Sequence, residues 1–329
     1  MQKQRFSARL EKMNTRFHPG RPWLDTDGHP IHAHGGGVLF EDGVYYWFGE
    51  NKDAPNCPGT TRADVVGVSC YSSRDLLNWK NEGLVLPAVP DDPSHDLHPS
   101  MVAERPKVIF NRATGKYVMW LHVDSPDYTK ASAGVAVSDA VTGPYRYLGC
   151  VRPNGCDSRD MTVFQDDDGR AYLLHSSDWN SVSMIADLTP DYLGLTGHYS
   201  RHFDHGTKNT GRESPAVFKH AGRYFQITSG TTGWNPNAAE YSVAEQIHGP
   251  WTVIGNPCAG PESETTFRSQ DTFVLPVRDR PGRFIFMADR WVPENLQASS
   301  YVWLPLEIRG GELRVRWRDS WTLSDGWQA

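Results

Sequence analysis

GRESPAVFKHAGRYFQITSG (211–230) places Glu213 two residues before a proline, at the head of an alternating apolar run. Branched and aromatic residues on either side of an Ala-Gly turn form the pattern of a β-hairpin. A carboxylate at the start of a strand that reads as buried costs free energy unless it is solvated, paired or put to chemical use. The arrangement recurs. HGGGVLFEDGVYYWFG (34–49), ERPKVIFNRATGKYVMWLH (104–122), DMTVFQDDDGRAYLLHS (160–176) and QDTFVLPVRDRPGRFIFMAD (270–289) align with the stretch that begins at Glu213.

The lead residue changes from copy to copy: His34, Glu104, Asp160, Glu213, Gln270. Four residues after each stands an apolar side chain (Val38, Val108, Phe164, Val217, Val274). A turn ending in glycine follows (Gly43, Gly115, Gly169, Gly222, Gly282). Successive leads are 70, 56, 53 and 57 residues apart. Further strand-like runs trail each hairpin: VVGVSCYSS, AGVAVSDA, SMIADL, AAEYSVAE and YVWLPLE. Each unit therefore offers about four short strands, the content of one propeller blade. Such a sheet cannot bury both faces alone. Five of them around an axis can, and the ring leaves few free edges. A linear stack satisfies the same period but leaves its ends open. The chain is read as an all-β, five-bladed β-propeller over 23–329, with 1–22 an N-terminal arm that is either a short helix or a tail. GELRVRWRDSWTL (311–323) is expected to pair with the N-terminal segment and close the ring.

Composition limits the partners. The 329 residues carry 33 Lys and Arg against 39 Asp and Glu, a net charge of −6, with no basic stripe. Nucleic acid is not an expected partner. No run reaches the roughly 18 apolar residues of a membrane span, and no signal-peptide core stands at the start. The expectation is no membrane association and a cytoplasmic location as the chain stands, or a secreted or periplasmic one if a leader has been removed. Five cysteines without a CxxC pair read as free thiols, with Cys150–Cys156 the bridge open to an oxidising compartment. Twelve tryptophans suit a β-rich fold and also sugar binding, because flat rings stack on sugar faces.

In a propeller the inner strands line a central channel, so the five leads converge on one pocket. Two Glu, one Asp, one Gln and one His would meet there. Any one of them alone could hold a cation or bridge blades through water. Glu104, Asp160 and Glu213 together suit glycoside hydrolysis, in which a protonated acid donates to the leaving oxygen and a second group activates water or attacks carbon. Crowding carboxylates raises at least one pKa, and Asp160 is the natural perturber of Glu213.

Long segments carry a family resemblance: HAHGGGVLFEDGVYYWFGE (32–50), ERPKVIFNRATGKYVMWLHVD (104–124), DSRDMTVFQDDDGRAYLLHSS (157–177), RESPAVFKHAGRYFQITSGTTGWNPN (212–237), SQDTFVLPV (269–277) and FIFMADRW (284–291). The chain from about 23 to 321 resembles glycoside hydrolase family 43, whose members are five-bladed propellers. It is most similar to the branch with exo-acting β-1,3-galactanases, and next to a branch with arabinofuranosidase and galactofuranosidase activities. The resemblance implies inversion, with Glu213 as general acid and Asp160 as the residue that tunes it and orients substrate. The family's usual base, an Asp leading blade one, is replaced here by His34. The galactanase-like branch shares that loss and has Gln at the position of Gln270, which would hold the attacking water or act as a base through its imidic tautomer. Glu104 is the other candidate, binding sugar hydroxyls or assisting. Glu50, Tyr128, Asn180, Thr231, Trp234 and Arg290 sit at strand ends or in loops. The resemblance places several of them, with His34, in the sugar subsite, and a structural role is equally open for each.

Other motifs read more plainly. His29, His32 and His34 fit no zinc spacing. His95 and His98 read as a surface loop. HGGG (34–37) lacks the G-x-S-x-G partner of an esterase and reads as a strand passing close to axis or substrate. QDDDG (165–169) reads as a hairpin turn rather than a calcium loop. The expected function is an exo-acting glycosidase that removes terminal galactose from β-1,3-galactan. The alternatives are an α-L-arabinofuranosidase, a β-D-galactofuranosidase, or a non-catalytic sugar-binding propeller. The expected partner is an oligosaccharide or polysaccharide. No redox or nucleotide cofactor is expected, and a structural cation in the channel stays open.

Overall fold

A computed structural model describes residues 13–328. Blade one is β1 (His34–Glu41), β2 (Val44–Glu50), β3 (Gly67–Ser73) and β4 (Lys80–Pro87). Blade two is β5 (Val102–Asn111), β6 (Lys116–Asp124), β7 (Ser132–Ser138) and β8 (Arg146–Val151). Blade three is β9 (Met161–Gln165), β10 (Ala171–Ser177), β11 (Val182–Leu188) and β12 (Leu195–His202). Blade four is β13 (Arg212–His220), β14 (Arg223–Gly230), β15 (Glu240–Ala244) and β16 (Thr252–Gly255). The short β17 (Cys258–Ala259) then leads to β18 (Gln270–Pro276), β19 (Phe284–Arg290), β20 (Ser300–Arg309) and β21 (Glu312–Arg316) of blade five. Within each blade the strands pair antiparallel in chain order, and β17 adds in parallel to the outer edge of β21. The inner strands β1, β5, β9, β13 and β18 each contact the next, and β18 returns to β1, so the ring is closed. Among the described residues no helix is long and apolar enough to cross a membrane.

Five apolar clusters hold the ring together, one between each pair of neighbouring blades. The pleat explains them, because successive side chains point to opposite faces. On β6, Val118 and Trp120 face blade three, whereas Met119 and Leu121 face blade one. On β19, Ile285 and Met287 face blade one, and Phe286 and Ala288 face blade four. A middle strand buried on both sides reads as a continuous apolar run, as YVMWL and FIFMA do.

Ring closure differs from the expectation in detail. ELRVR pairs inside its own blade as β21. The N-terminal segment meets the C-terminal stretch at one antiparallel bridge, Phe17 with Trp321, whose rings stack 4.1 Å apart. The described part of the arm thus packs into the cluster between blades five and one, where Phe17 is buried. The rest of the arm lies outside the described residues. All five cysteines are free thiols.

The inner strands carry the feature that aims the leads. In blades one, two and four the residue after the lead is left-handed: Gly35 at φ +58°, Arg105 at +55° and Ser214 at +58°. The strand register shifts at the same places. These bulges re-aim side chains at the mouth of the channel. For Arg105 and Ser214 the conformation costs about 1–3 kcal/mol each, held in place by the surrounding packing. The HGGG glycines permit close approach to neighbouring strands. A Cβ on Gly36 would run into the Phe48 carbonyl, and one on Gly37 would meet Lys107 and Phe273.

Candidate active site

Four of the five leads, Glu104, Asp160, Glu213 and Gln270, line one cavity of about 290 Å³, together with Glu50, Arg105, Tyr128, Gly233, Trp234 and Trp291. Arg105 is the hub. Its Nη2 lies 2.9 Å from Asp160 Oδ2 and donates to Gln270 Oε1 at 2.5 Å. Its Nη1 donates to Ser214 Oγ at 2.8 Å, and its backbone N–H donates to Glu50 Oε1 at 3.0 Å. One buried guanidinium thereby ties four blades to one point. Glu50 has its other oxygen 2.7 Å from Lys52 Nζ.

The carboxylates are pushed apart in acidity. Burial, then the Asp160 charge, push the Glu213 carboxyl up to about 8, against the pull of Arg105 and of a Gln270 hydrogen bond. Glu213 Oε2 accepts from Asn180 Nδ2 at 3.0 Å and Oε1 from Gln270 Nε2 at 3.1 Å. For Glu104, burial acts upward but loses to the hydrogen bond and charge of His122, with Lys52 and Arg105, and the group is held at about 2. Tyr128 OH donates to Glu104 Oε1 at 3.0 Å. Burial opposes the charge on His122, but Asp124 and Glu104 on its two sides raise it to about 9. The two environments act in opposite directions, pushing Glu213 toward its protonated form and Glu104 toward its ionised form. That separation is what acid-assisted hydrolysis needs.

Glu104, His122 and Asp160 bring one potential metal-ligand atom each within 4.8 Å of one another. Arg105 is paired with Asp160, and His122 lies between Glu104 and Asp124. We read it as an ion-pair network. Behind the pocket, Lys107 donates to the Gly35 carbonyl at 2.7 Å and packs with Phe273 over Gly37. Burial, then Arg105, bring its ammonium down to about 7.

The family model described as glycosyl hydrolases family 43 matches residues 39–269. The chain belongs to glycosyl hydrolase family 43. A family 43 β-1,3-galactosidase solved with galactodeoxynojirimycin is 40% identical and superposes with a TM-score of 0.86, over 93% of this chain and 100% of that one. An exo-β-1,3-galactanase variant from Phanerochaete chrysosporium, solved with β-1,3-galactotriose, is 37% identical with a TM-score of 0.85, over 94% of this chain and 68% of that one. The exo-β-1,3-galactanase of Clostridium thermocellum is 35% identical with a TM-score of 0.83, over 93% and 66%. The β-D-galactofuranosidase xynD of Aspergillus niger is 28% identical over 55% of this chain and 54% of that protein. The chain spans about half the length of the curated relatives it matches.

Within this family 43 site, three expected sugar contacts fall elsewhere. His34 is fully buried and does not line the cavity. Its Nδ1 is 2.9 Å from Asp289 Oδ1, and its ring stacks on Tyr301. The lead of blade one has become a blade-to-blade tie. Thr231 turns its hydroxyl to the Asn209 carbonyl, off the cavity. Arg290 lines an adjoining groove, donates to the Phe267 carbonyl and lies over Trp317. Asn180 reaches the site through its bond to Glu213. Tyr128, Trp234 and Glu50 do line the cavity.

Arg105, Trp291 and His122 were not anticipated. Arg105 directly follows a lead, and the register shift beside it was the hidden signal. Trp291 follows Arg290 and meets Trp234 edge-on at 5.5 Å, giving the aromatic wall. Trp234 Nε1 donates to Thr61 Oγ1 at 2.9 Å, linking the loops of blades one and four beside the cavity.

Proposed function

We propose that this family 43 chain is an exo-acting glycosidase that releases terminal galactose from β-1,3-galactan with inversion. The observation that carries the reading is Glu213, bonded to Asn180 and Gln270 beside Asp160 in a cavity edged by two tryptophans, where burial and the Asp160 charge push its carboxyl up to about 8. Glu213 gives its proton to the glycosidic oxygen. Asp160 keeps that proton in place and is itself oriented by Arg105. Glu104, held at about 2 between His122 and Tyr128, accepts sugar hydroxyls. Water on the opposite face is held by the Gln270 amide oxygen, itself fixed by Arg105. As the water oxygen bonds to the anomeric carbon and the glycosidic bond breaks, the water proton passes to solvent, and Glu213 takes one back for the next turnover. A cavity of about 290 Å³ is at the small end of ligand sites and suits one terminal sugar. The molecules bound in the neighbouring structures, a galactose-like iminosugar and β-1,3-galactotriose, support galactose as the sugar.

The test is hydrolysis of β-1,3-galactobiose followed by NMR from the first turnover. Release of the α-anomer supports the reading, and release of the β-anomer overturns inversion. A second reading, a furanosidase, is favoured by the Aspergillus niger relative. Turnover of an aryl galactofuranoside or arabinofuranoside with none of galactobiose would replace the first reading with it.

A further inference from the structure

We propose that Asp187, His198 and His248 form a transition-metal site, suited to Zn²⁺, that clamps blade three to blade four at the rim of the propeller, remote from the sugar pocket. One ligand atom from each of the three lies within 4.8 Å of the other two. His198 Nδ1 is 3.2 Å from Asp187 Oδ2, and His248 Nε2 is 2.6 Å from Asp187 Oδ1. Metal–ligand bonds of about 2.0–2.1 Å at tetrahedral angles separate neighbouring ligands by roughly 3.3 Å, so small shifts admit the ion. The two imidazole rings stand 4.6 Å apart and nearly perpendicular.

The supporting contacts suit a metal ligand. β12 reads LTGHYSRH, which puts His198, Ser200 and His202 on one face of the outermost strand of blade three. Ser200 Oγ sits 2.7 Å from His248 Nδ1 and 2.7 Å from His202 Nε2. His202 is half-buried beside this serine, and its Nε2 can accept the serine hydroxyl's hydrogen bond. Without an ion, the His248 Nε2–H donates to Asp187 Oδ1 at 2.6 Å; with one bound, the ring would carry its proton on Nδ1, donate it to Ser200 Oγ and turn the Nε2 lone pair to the metal. A metal-bound histidine usually donates its remote ring N–H to an acceptor such as a carboxylate, carbonyl or water, and here the Ser200 hydroxyl takes that place. Two imidazoles and a carboxylate then supply three ligands, and water completes a tetrahedron. Asp187 and His198 belong to blade three and His248 to the loop after β15, so the ion would add a cross-blade tie independent of the five apolar clusters.

The experiment adds Zn²⁺ alone to the full metal-free chain and follows binding by calorimetry and thermal unfolding. Co²⁺ serves as the spectroscopic probe. The expected result is one ion per chain, intense tetrahedral Co²⁺ bands, and a melting temperature raised by roughly 4 °C at about 100-fold excess over the dissociation constant. His198→Ala and His248→Ala should each lose the bands and the shift, while galactobiose hydrolysis is unchanged. His198 is exposed and its replacement leaves the fold intact, which melting of the metal-free variant checks. Absence of saturable Zn²⁺ and Co²⁺ uptake by the wild-type chain, or equal uptake by the His198→Ala/His248→Ala double variant, would overturn the site.

Discussion

Gln270 Nε2 donates a hydrogen bond to Glu213 Oε1 at 3.1 Å, so the group assigned to water and the group assigned to the leaving oxygen touch each other. Inversion calls for an acid and a water-side group about 6.5–9.5 Å apart, with the sugar and water between them. Sugar entry must therefore part this pair. Gln270→Ala removes the water-holding amide and should lower kcat on β-1,3-galactobiose by about 10²–10⁴-fold. Azide, a nucleophile that needs no base, should restore turnover and give α-galactosyl azide. No rescue, or a β-azide, would remove Gln270 from the water side.

The pH dependence follows from Glu213. The catalytic form is protonated, so kcat/KM should fall as pH rises through about 8. Two substitutions should move that limb in opposite directions. Asp160→Asn removes the charge that raises Glu213 and shifts the limb to lower pH. Gln270→Ala removes a hydrogen bond that lowers it and shifts the limb of the residual activity upward. Glu213→Gln should abolish hydrolysis and the limb with it, yet retain galactobiose binding by calorimetry. A limb unmoved in Asp160→Asn would show that another group titrates.

Arg105 is charged, buried and shared among Asp160, Gln270, Ser214 and the Asp271 carbonyl. Arg105→Met leaves Asp160 without its buried partner and should cost about 3–5 kcal/mol in urea unfolding. Arg105→Lys keeps the charge but loses the planar fork, so activity should stay low even where stability recovers. A fully active lysine variant would reduce Arg105 to a point charge.

How much of this could be read in advance depends on what symmetry can carry. Five equivalent strand starts were visible because the lead, the apolar residue four places on and the turn glycine recur together. Convergence of Glu104, Asp160, Glu213 and Gln270 then follows from ring closure alone. Symmetry gave no warning about His34, because Asp289 on the neighbouring blade draws that imidazole into the core. Arg105 was hidden for a local reason. Plain alternation places the residue after a lead on the other face, whereas its left-handed backbone turns it into the pocket. Arg290 and Trp291 differ by one step at the end of β19, where the pleat stops dictating which of two neighbours faces the channel.

Trp291 now carries two roles that substitution separates. Its ring forms a wall with Trp234, and its Nε1 lies 3.3 Å from Gln270 Oε1. Trp291→Phe keeps an aromatic surface and should change KM by only a few-fold. Trp291→Ala removes the stacking surface, worth about 0.5–1.5 kcal/mol, and should raise KM on the order of tenfold. Equal KM values for the two variants would place the terminal sugar away from this wall.

Phe17 tests whether the N-terminal segment is part of the propeller. Its ring stacks on Trp321 and meets Trp23 edge-on at 5.8 Å, and its backbone exchanges hydrogen bonds with Trp321. The interface between blades five and one therefore relies on residues from both ends of the chain. Phe17→Ala opens a cavity there and should cost about 3–5 kcal/mol in denaturant unfolding. The sugar pocket is built from other residues, so KM and the pH limb of the folded variant should match those of the wild type. A loss below about 1 kcal/mol would mean that this interface closes without the segment, because a buried aromatic in a packed core does not leave so cheaply.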